Sequence, residues 1–268
     1  MCGTPLHSDA EQSAPAPEQA LLSGTASWRT VAVMQPYFFP YGGYFALIRS
    51  VDVFVLDDLA QYTPKRWMNR NRIRRPGAQN DKEDWQYLTL PVQRCPVDTP
   101  VCKVPLAAQP WRQAMQGRLT VYAHAPHYND VMRLFGAWAD EVERLPAPTL
   151  ADANTMGLQI VCNALGLSTP LVRLSALAPH LADYRPPYPK GENALAVCRV
   201  LGGVTEYRNL PGGAAFYPRQ TYREAGIRLR FQQWTGQRHE PPLSVLHLLM
   251  TLPVDQIDRL LSQFRLFA

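Results

Sequence analysis

The sequence predicts an α/β protein with a doubly wound, mostly parallel sheet and C-terminal helices. Three observations support this fold class. Strand-like runs alternate with helical segments along the chain, which is typical of parallel α/β sheets. The run "VFVL" is continuously apolar, as expected of a strand buried on both faces. The chain closes with two helical segments and no further strand signal, which places helices at the C-terminus.

The individual elements follow from local patterns of apolar residues, glycines and prolines. The predicted strands are "TVAVMQ", "DVFVLDD", the alternating "WQYLTLPVQ", a strand within "LGLSTPLVRLSAL", "VTEYRNL" and "IRLRFQQW". The predicted helices are "GGYFALIRSV", residues 110–121, 131–145 and 150–165, "GENALAVCRVLGG", "YPRQTYREAG", "PLSVLHLLMTL" and "VDQIDRLLSQF". The helix over 150–165 ends at Gly166, a residue type suited to the left-handed conformation that closes a helix.

Bulk composition predicts a packed cytoplasmic protein. The chain has 268 residues, of which 46% are hydrophobic and 18% are charged. Residues 1–28 lack periodicity and are rich in Ala, Pro, Ser and Glu, so we expect a disordered tail followed by one α/β domain over residues 29–268. The sequence shows no secretion signal and no apolar run long enough to cross a bilayer, so we expect no membrane association. The oligomeric state is left open.

The cysteines are predicted to be free thiols, because their number is odd and no secretion signal is present. Cys95 and Cys102 lack the spacing of a zinc site, so no metal and no cofactor is expected. Cys198 lies among apolar residues of a predicted helix, which favours a core position. The alternative is a nucleophile, with His124 of "YAHAPHY" as a conceivable partner base.

Positive charge is concentrated in one short segment. The net charge is +5, and "KRWMNRNRIRR", residues 65–75, holds six of the 27 basic residues and no acidic residue. Nucleic-acid binding would favour several such clusters interleaved with stacking aromatics. A single cluster indicates a small anionic ligand, so we expect no nucleic-acid partner.

Two unusual loops are predicted to form a ligand site. "QPYFFPYGG" and "DDLAQYTPKRWMNRNR" each leave the carboxyl end of one of two adjacent early strands. In open α/β sheets, ligands bind at this edge, where the loops diverge. We therefore expect the two loops to face each other across one crevice.

The same segments resemble the WbqC-like protein family. The resemblance rests on "MQPYFFPYGGYFALI", "DVFVLDDLAQYTPKRWMNRNRI", "YAHAPHY", "CRVLGGVTEYRNLPGGAAFYPRQTYREAGIRLRF" and "PLSVLHLLM". Proteins of this family are encoded among O-antigen, polysaccharide and secondary-metabolite genes, including those for antibiotics. The family's recurrent polar positions correspond to Gln35, Tyr37, Tyr44, Asp58, Gln61, Tyr62, Asn69, Arg70 and Asn71. The arrangement "YGGY" followed by "VFVLDDLAQY" is also similar to nucleotidylyltransferase-type domains, although the paired histidines of those domains are absent.

The resemblance implies a transferase that moves an acyl or aminoacyl group to an amine during polysaccharide or secondary-metabolite biosynthesis. Its substrate would be a small molecule or a carrier-protein-bound group. Asp58 is expected to act as a general base and Tyr37 to assist it in catalysis. The expected substrate-binding residues are Gln35, Tyr44, Gln61, Asn69, Arg70 and Asn71, with Arg70 as the anchor for a negative group. Two alternatives stay open: a non-catalytic module that binds a sugar nucleotide or carrier-bound substrate, and a cysteine-dependent acyl transferase using Cys198.

Overall fold

The computed structural model describes residues 28–77, 84–178, 192–236 and 239–268, so the predicted tail lies outside it except for Trp28. The strands are β1 (Thr30–Met34), β2 (Val53–Leu56), β3 (Arg70–Arg74), β4 (Trp85–Thr89), β5 (Leu171–Arg173), β6 (Glu206–Asn209), β7 (Arg228–Trp234) and β8 (Phe264–Phe267). The helices are α1 (Gly42–Arg49), α2 (Trp111–Leu119), α3 (Tyr128–Arg144), α4 (Leu150–Ala164), α5 (Leu174–Leu177), α6 (Glu192–Leu201), α7 (Arg219–Glu224), α8 (Val245–Thr251) and α9 (Val254–Leu261).

The centre of the domain is a six-stranded sheet with the order β5-β2-β1-β6-β7-β8. The first five strands of that order run parallel, and β8 pairs antiparallel with β7 at the edge. The chain winds from β1 outward through β2 to β5, then returns to add β6 on the other side of β1. The predicted α/β class, mostly parallel sheet and C-terminal helices are confirmed.

Side chains along each central strand point alternately to the two faces of the sheet, and this divides the interior into two layers. Val31 and Val33 of β1 pack on one face of the sheet, in the layer completed by α6 and α7. Ala32 of β1 and Phe54 of β2 pack on the opposite face, in the larger layer that contains α1, α3, α4 and the two C-terminal helices. Because side chains of a strand point alternately to opposite faces, burial of every central position requires cover on both sides.

The structure contains two strands that the sequence patterns did not reveal, β3 and β8. The predicted strand "WQYLTLPVQ" forms β4, which pairs with β3 in a separate two-stranded antiparallel sheet and not with the central sheet. The segment 70–74, expected to be loop, alternates between partly exposed arginines and the buried Asn71 and Ile73. This period of two is the signal of a half-buried strand, and the high charge concealed it. The edge strand β8 was likewise not predicted.

The two glycines that open α1 allow close packing. A Cβ atom on Gly42 would lie 2.5 Å from the ring of Trp234, and one on Gly43 would lie 2.4 Å from the ring of Tyr41. Both distances are shorter than a carbon–carbon contact permits, so any larger residue would force these rings to move.

Among the described residues, no helix has the length and apolar character required of a membrane span.

Candidate functional site

A cavity of about 720 Å³ lies where the direction of winding reverses, at the carboxyl ends of β1, β2 and β6. In doubly wound sheets this position is the usual place for a ligand, and the volume suits a small organic molecule. The residues that line it are Val33, Met34, Gln35, Tyr37, Pro40, Tyr41, Asp57, Trp67, Asn71, Asn193, Ala194, Asn209, Leu210, Pro211, Gly212, Gly213, Phe216, Tyr217 and Pro242.

The loop that follows β1 forms one wall, and buried side chains hold its backbone. The Tyr44 hydroxyl donates to the carbonyl oxygen of Gln35 at 2.8 Å. The amide of Asn154 donates to the carbonyl oxygens of Pro36 and Met68, at 2.7 Å each. Buried carbonyl groups without partners are costly, so these donors stabilise the loop. The second link also joins the two loops that the sequence predicted to face each other.

The middle of the same loop is held in a similar way. The Asn71 amide donates to the carbonyl oxygens of Phe38 and Phe39, at 3.1 Å each. The Ser244 hydroxyl also donates to the Phe39 carbonyl oxygen, at 2.7 Å. Phe39 has a φ of 37°, a left-handed conformation that is unfavourable for an aromatic residue. The convergence of donors on its carbonyl holds the chain in this conformation.

Asp57, at the end of β2, places a carboxyl group in the cavity wall. It is buried, with 8% of its surface exposed. Burial and, to a smaller extent, the neighbouring charge of Asp58 raise the pKa of Asp57 to about 6, against the opposing effect of a hydrogen bond from the Ala60 backbone. The side-chain amide of Asn193 also donates to this carboxyl group at 3.4 Å. A carboxyl group with this pKa is suited to proton transfer near neutral pH.

Asp58 occupies a different environment, although it is the next residue. Its carboxylate is fully buried outside the cavity lining and accepts hydrogen bonds from Arg173 Nε at 2.7 Å and from the backbone N–H of Ser175 at 2.8 Å. The Ser175 hydroxyl donates to it at 2.5 Å, and Arg173 also pairs with Asp152 at 2.6 Å. This network pairs the Asp58 carboxylate with the Arg173 guanidinium and joins the end of β2 to the end of β5.

The other residues predicted from sequence divide between the cavity and its surroundings. Gln35, Tyr37 and Asn71 line the cavity, and Tyr44 lies behind Tyr37 with its ring centroid 5.7 Å away. Gln61 donates to the Val97 carbonyl oxygen, at the surface, at 2.6 Å.

Asn69 and Arg70 make contacts within the protein outside the cavity lining. The Asn69 amide donates to the Leu90 carbonyl oxygen at 3.2 Å. The Arg70 guanidinium stacks on Tyr87, 3.8 Å from the ring centroid, and donates to the Lys65 carbonyl oxygen.

The wall formed by Asn209 and Tyr217 was not identified from the sequence. The Asn209 amide donates to the hydroxyl groups of Tyr217 and, at 2.7 Å, of Tyr207. Burial raises the pKa of Tyr217 to about 12, so its hydroxyl is neutral. The available signal was the position of Asn209 at the carboxyl end of a strand, in "YRNLPGG", but Tyr217 comes from a separate segment beyond it.

Cys198 lies in the core, with 2% of its surface exposed. Burial raises the pKa of its thiol to about 12, so the reactive thiolate is scarce at neutral pH. The conceivable partner His124 borders a different groove, beside Tyr122. In the part of the chain that the structure describes, no three His, Cys, Asp or Glu side chains are grouped as metal ligands.

The cavity therefore has one charged side chain among its described lining residues, Asp57. The phenol groups of Tyr37 and Tyr41 have raised pKa values because they are buried, and that of Tyr41 reaches about 12. Neutral phenols can donate hydrogen bonds to a developing negative charge. The arrangement combines one carboxylate that can accept a proton with several neutral donors.

Together, the reversal point, the cavity and its carboxylate define an α/β protein with a candidate ligand site at the carboxyl edge of a doubly wound sheet. The chain belongs to the WbqC-like protein family, whose model matches residues 35–259. It is 27% identical over 243 residues to the uncharacterized protein Rv1507c of Mycobacterium tuberculosis, covering 87% of this chain and 97% of that protein. No solved structure matches the chain at a significant level.

Proposed function

We propose that this protein is a transferase that moves an acyl or aminoacyl group onto an amine acceptor, with Asp57 as the general base. The observation that carries the proposal is the isolated carboxylate of Asp57 in a largely apolar cavity whose other described lining residues are uncharged. In such surroundings the effective dielectric is low, so a carboxylate attracts an ammonium group more strongly than it would in water. The cavity is thus suited to an amine substrate. We assign the role of general base to Asp57 and not to Asp58, because the Asp58 carboxylate is already paired with Arg173 and hydrogen-bonded to Ser175.

The reaction follows from the groups in the wall. The amine nitrogen attacks the carbonyl carbon of an activated ester, thioester or acyl phosphate, and a carbon–nitrogen bond forms. Before this attack, Asp57 accepts one proton from the bound ammonium group, which leaves a neutral amine. The second proton, lost after the carbon–nitrogen bond forms, passes to the leaving group, which departs with the electron pair of its bond. Tyr37, which is neutral because burial raises its pKa, donates a hydrogen bond to the carbonyl oxygen as negative charge develops there.

The experiment is a panel of amino sugars and amino acids, each incubated with acyl and aminoacyl thioesters and adenylates. Amide products are identified by mass spectrometry. For any productive pair, Asp57→Asn should lower kcat by roughly 100- to 10,000-fold, the usual contribution of a general base. The parent rate should rise as the pH increases through about 6, because Asp57 ionises over that range.

The matched control is Asp130→Asn, which removes an exposed carboxylate on α3 and should keep the parent rate. Parent-like turnover by the Asp57→Asn variant would contradict the proposed base. Ligand binding without a product from any pair would favour the non-catalytic module instead.

A further inference from the structure

The guanidinium of Arg72 stacks on two indole rings, one of which borders the cavity. Its central carbon lies 4.8 Å from the ring centroid of Trp67 and 4.7 Å from that of Trp85. Trp67 is also a cavity-lining residue. The charged group therefore lies against a residue of the cavity wall. Because it stacks on both indoles, the Arg72 side chain is already ordered before a ligand binds. Binding therefore costs less side-chain conformational entropy than it would for a free arginine.

Arg72 differs from Arg70, which lies two residues away on the same face of β3. The Arg70 guanidinium already donates to the Lys65 carbonyl oxygen. The Arg72 guanidinium has no carboxylate within ion-pair distance among the described residues, and its Nε atom is buried without a hydrogen-bond partner. A guanidinium held rigidly and left without an anion is prepared to bind one.

We infer that Arg72 binds the phosphate of a phosphoester ligand whose remaining part extends past Trp67 into the cavity. The inference rests on the proposed function in one respect, since this ligand would be the activated donor. Residues 65–75 contain six basic and no acidic residues, so the local potential attracts a dianion. A planar guanidinium can contact two phosphate oxygens at once, and the adjacent indole can cover an apolar portion of the ligand.

A small phosphoester fits this face better than a nucleic acid does. Sequence-tolerant binding of single strands depends on aromatic rings that stack with bases. Here Trp67, Trp85 and Tyr87 each already have an arginine guanidinium against the ring. The positive charge of Arg72 is therefore better suited to binding one small anion beside the cavity.

The experiment is titration calorimetry of the full chain with three probes: inorganic pyrophosphate, uridine diphosphate and 4′-phosphopantetheine. One of the two organic probes should bind more tightly than pyrophosphate because it also occupies the cavity, and its identity distinguishes a nucleotide from a pantetheine ester. Arg72→Gln should weaken this binding by roughly 10- to 100-fold, the range for a lost hydrogen bond to a charged group. Arg75→Gln, which removes the same charge from an exposed position, should stay within about 2-fold of the parent.

Further variants keep the result interpretable. Arg72→Lys retains the charge without the planar fork and should recover affinity only partly, which also covers the case in which Arg72→Gln does not fold. Calorimetry measures binding without turnover, so failure of the proposed catalysis leaves this test intact. The inference is overturned if neither organic probe binds, if Arg70→Gln weakens binding more than Arg72→Gln, or if single-stranded DNA binds more tightly and Arg75→Gln weakens it equally.

Discussion

Two adjacent carboxylates, Asp57 and Asp58, should respond in opposite directions to the same substitution. The pKa of Asp57 is about 6 in the folded protein and 3.8 as its ordinary value. At about 1.4 kcal/mol per pH unit, the difference means that ionising this buried group costs the folded state about 3 kcal/mol. Because the folded-state pKa is raised, the stability associated with the protonated form is complete below about pH 4 and is lost as the pH rises through 6. Asparagine cannot ionise, so Asp57→Asn should raise the free energy of unfolding at pH 8 by about 1–3 kcal/mol.

Asp58→Asn should have the opposite effect. The substitution leaves Arg173, whose side chain is 26% exposed, without its buried partner, and breaking a buried ion pair costs about 3–5 kcal/mol. The assay is urea unfolding of the parent and both variants at a series of pH values from 3.5 to 8. The greater stability of the Asp57→Asn variant should disappear at the acid end of the series, because Asp57 of the parent is then protonated and as uncharged as the asparagine that replaces it. An Asp57→Asn variant less stable than the parent at pH 8, or an Asp58→Asn variant as stable as the parent, would refute the reasoning.

Three further predictions concern packing and loop support. Asn154→Ala removes donors to two loop carbonyl groups and should cost about 2–4 kcal/mol, with weaker ligand binding in calorimetry; unchanged stability would show that the loop does not need this support. Gly42→Ala should cost about 1–3 kcal/mol in thermal unfolding because its Cβ would lie 2.5 Å from Trp234, and adding Trp234→Phe should recover part of that loss if the clash is the cause. Cys198→Ala should cost about 1 kcal/mol and keep the proposed transferase activity, whereas a stable variant that loses the turnover of the parent would favour a thiol mechanism.

The fold could be predicted because each central strand carries its burial pattern locally. The run "VFVL" is apolar at every position because both faces of the sheet are covered, and this cause is visible in four consecutive residues. The alternation of β3 is equally local, but arginines with long apolar stems can lie partly buried on a strand while the sequence reads as a charged loop.

The site could be predicted only in part, for a physical reason. Gln35, Tyr37 and Asn71 line the cavity and were expected from the resemblance to the WbqC-like family. The choice between Asp57 and Asp58 could not be made locally. It depends on Arg173, which lies 115 residues from Asp58 along the chain and holds that carboxylate away from the cavity. Tyr217 was missed for a different reason: it hydrogen-bonds to Asn209 only eight residues earlier, but no periodic pattern in the intervening residues indicates that the chain folds back onto β6.

The support of the loop after β1 has a consequence for how the protein is made. Phe39 and the Ser244 hydroxyl that holds its carbonyl group are 205 residues apart. Every described residue that lines the cavity precedes Ser244 in the chain. When the last of these residues has been synthesised, one of the donors that hold their loop is therefore still missing. The hydrogen bond to the Phe39 carbonyl group can form only after Ser244 has left the ribosome, so the C-terminal segment completes the support of a wall built from earlier residues.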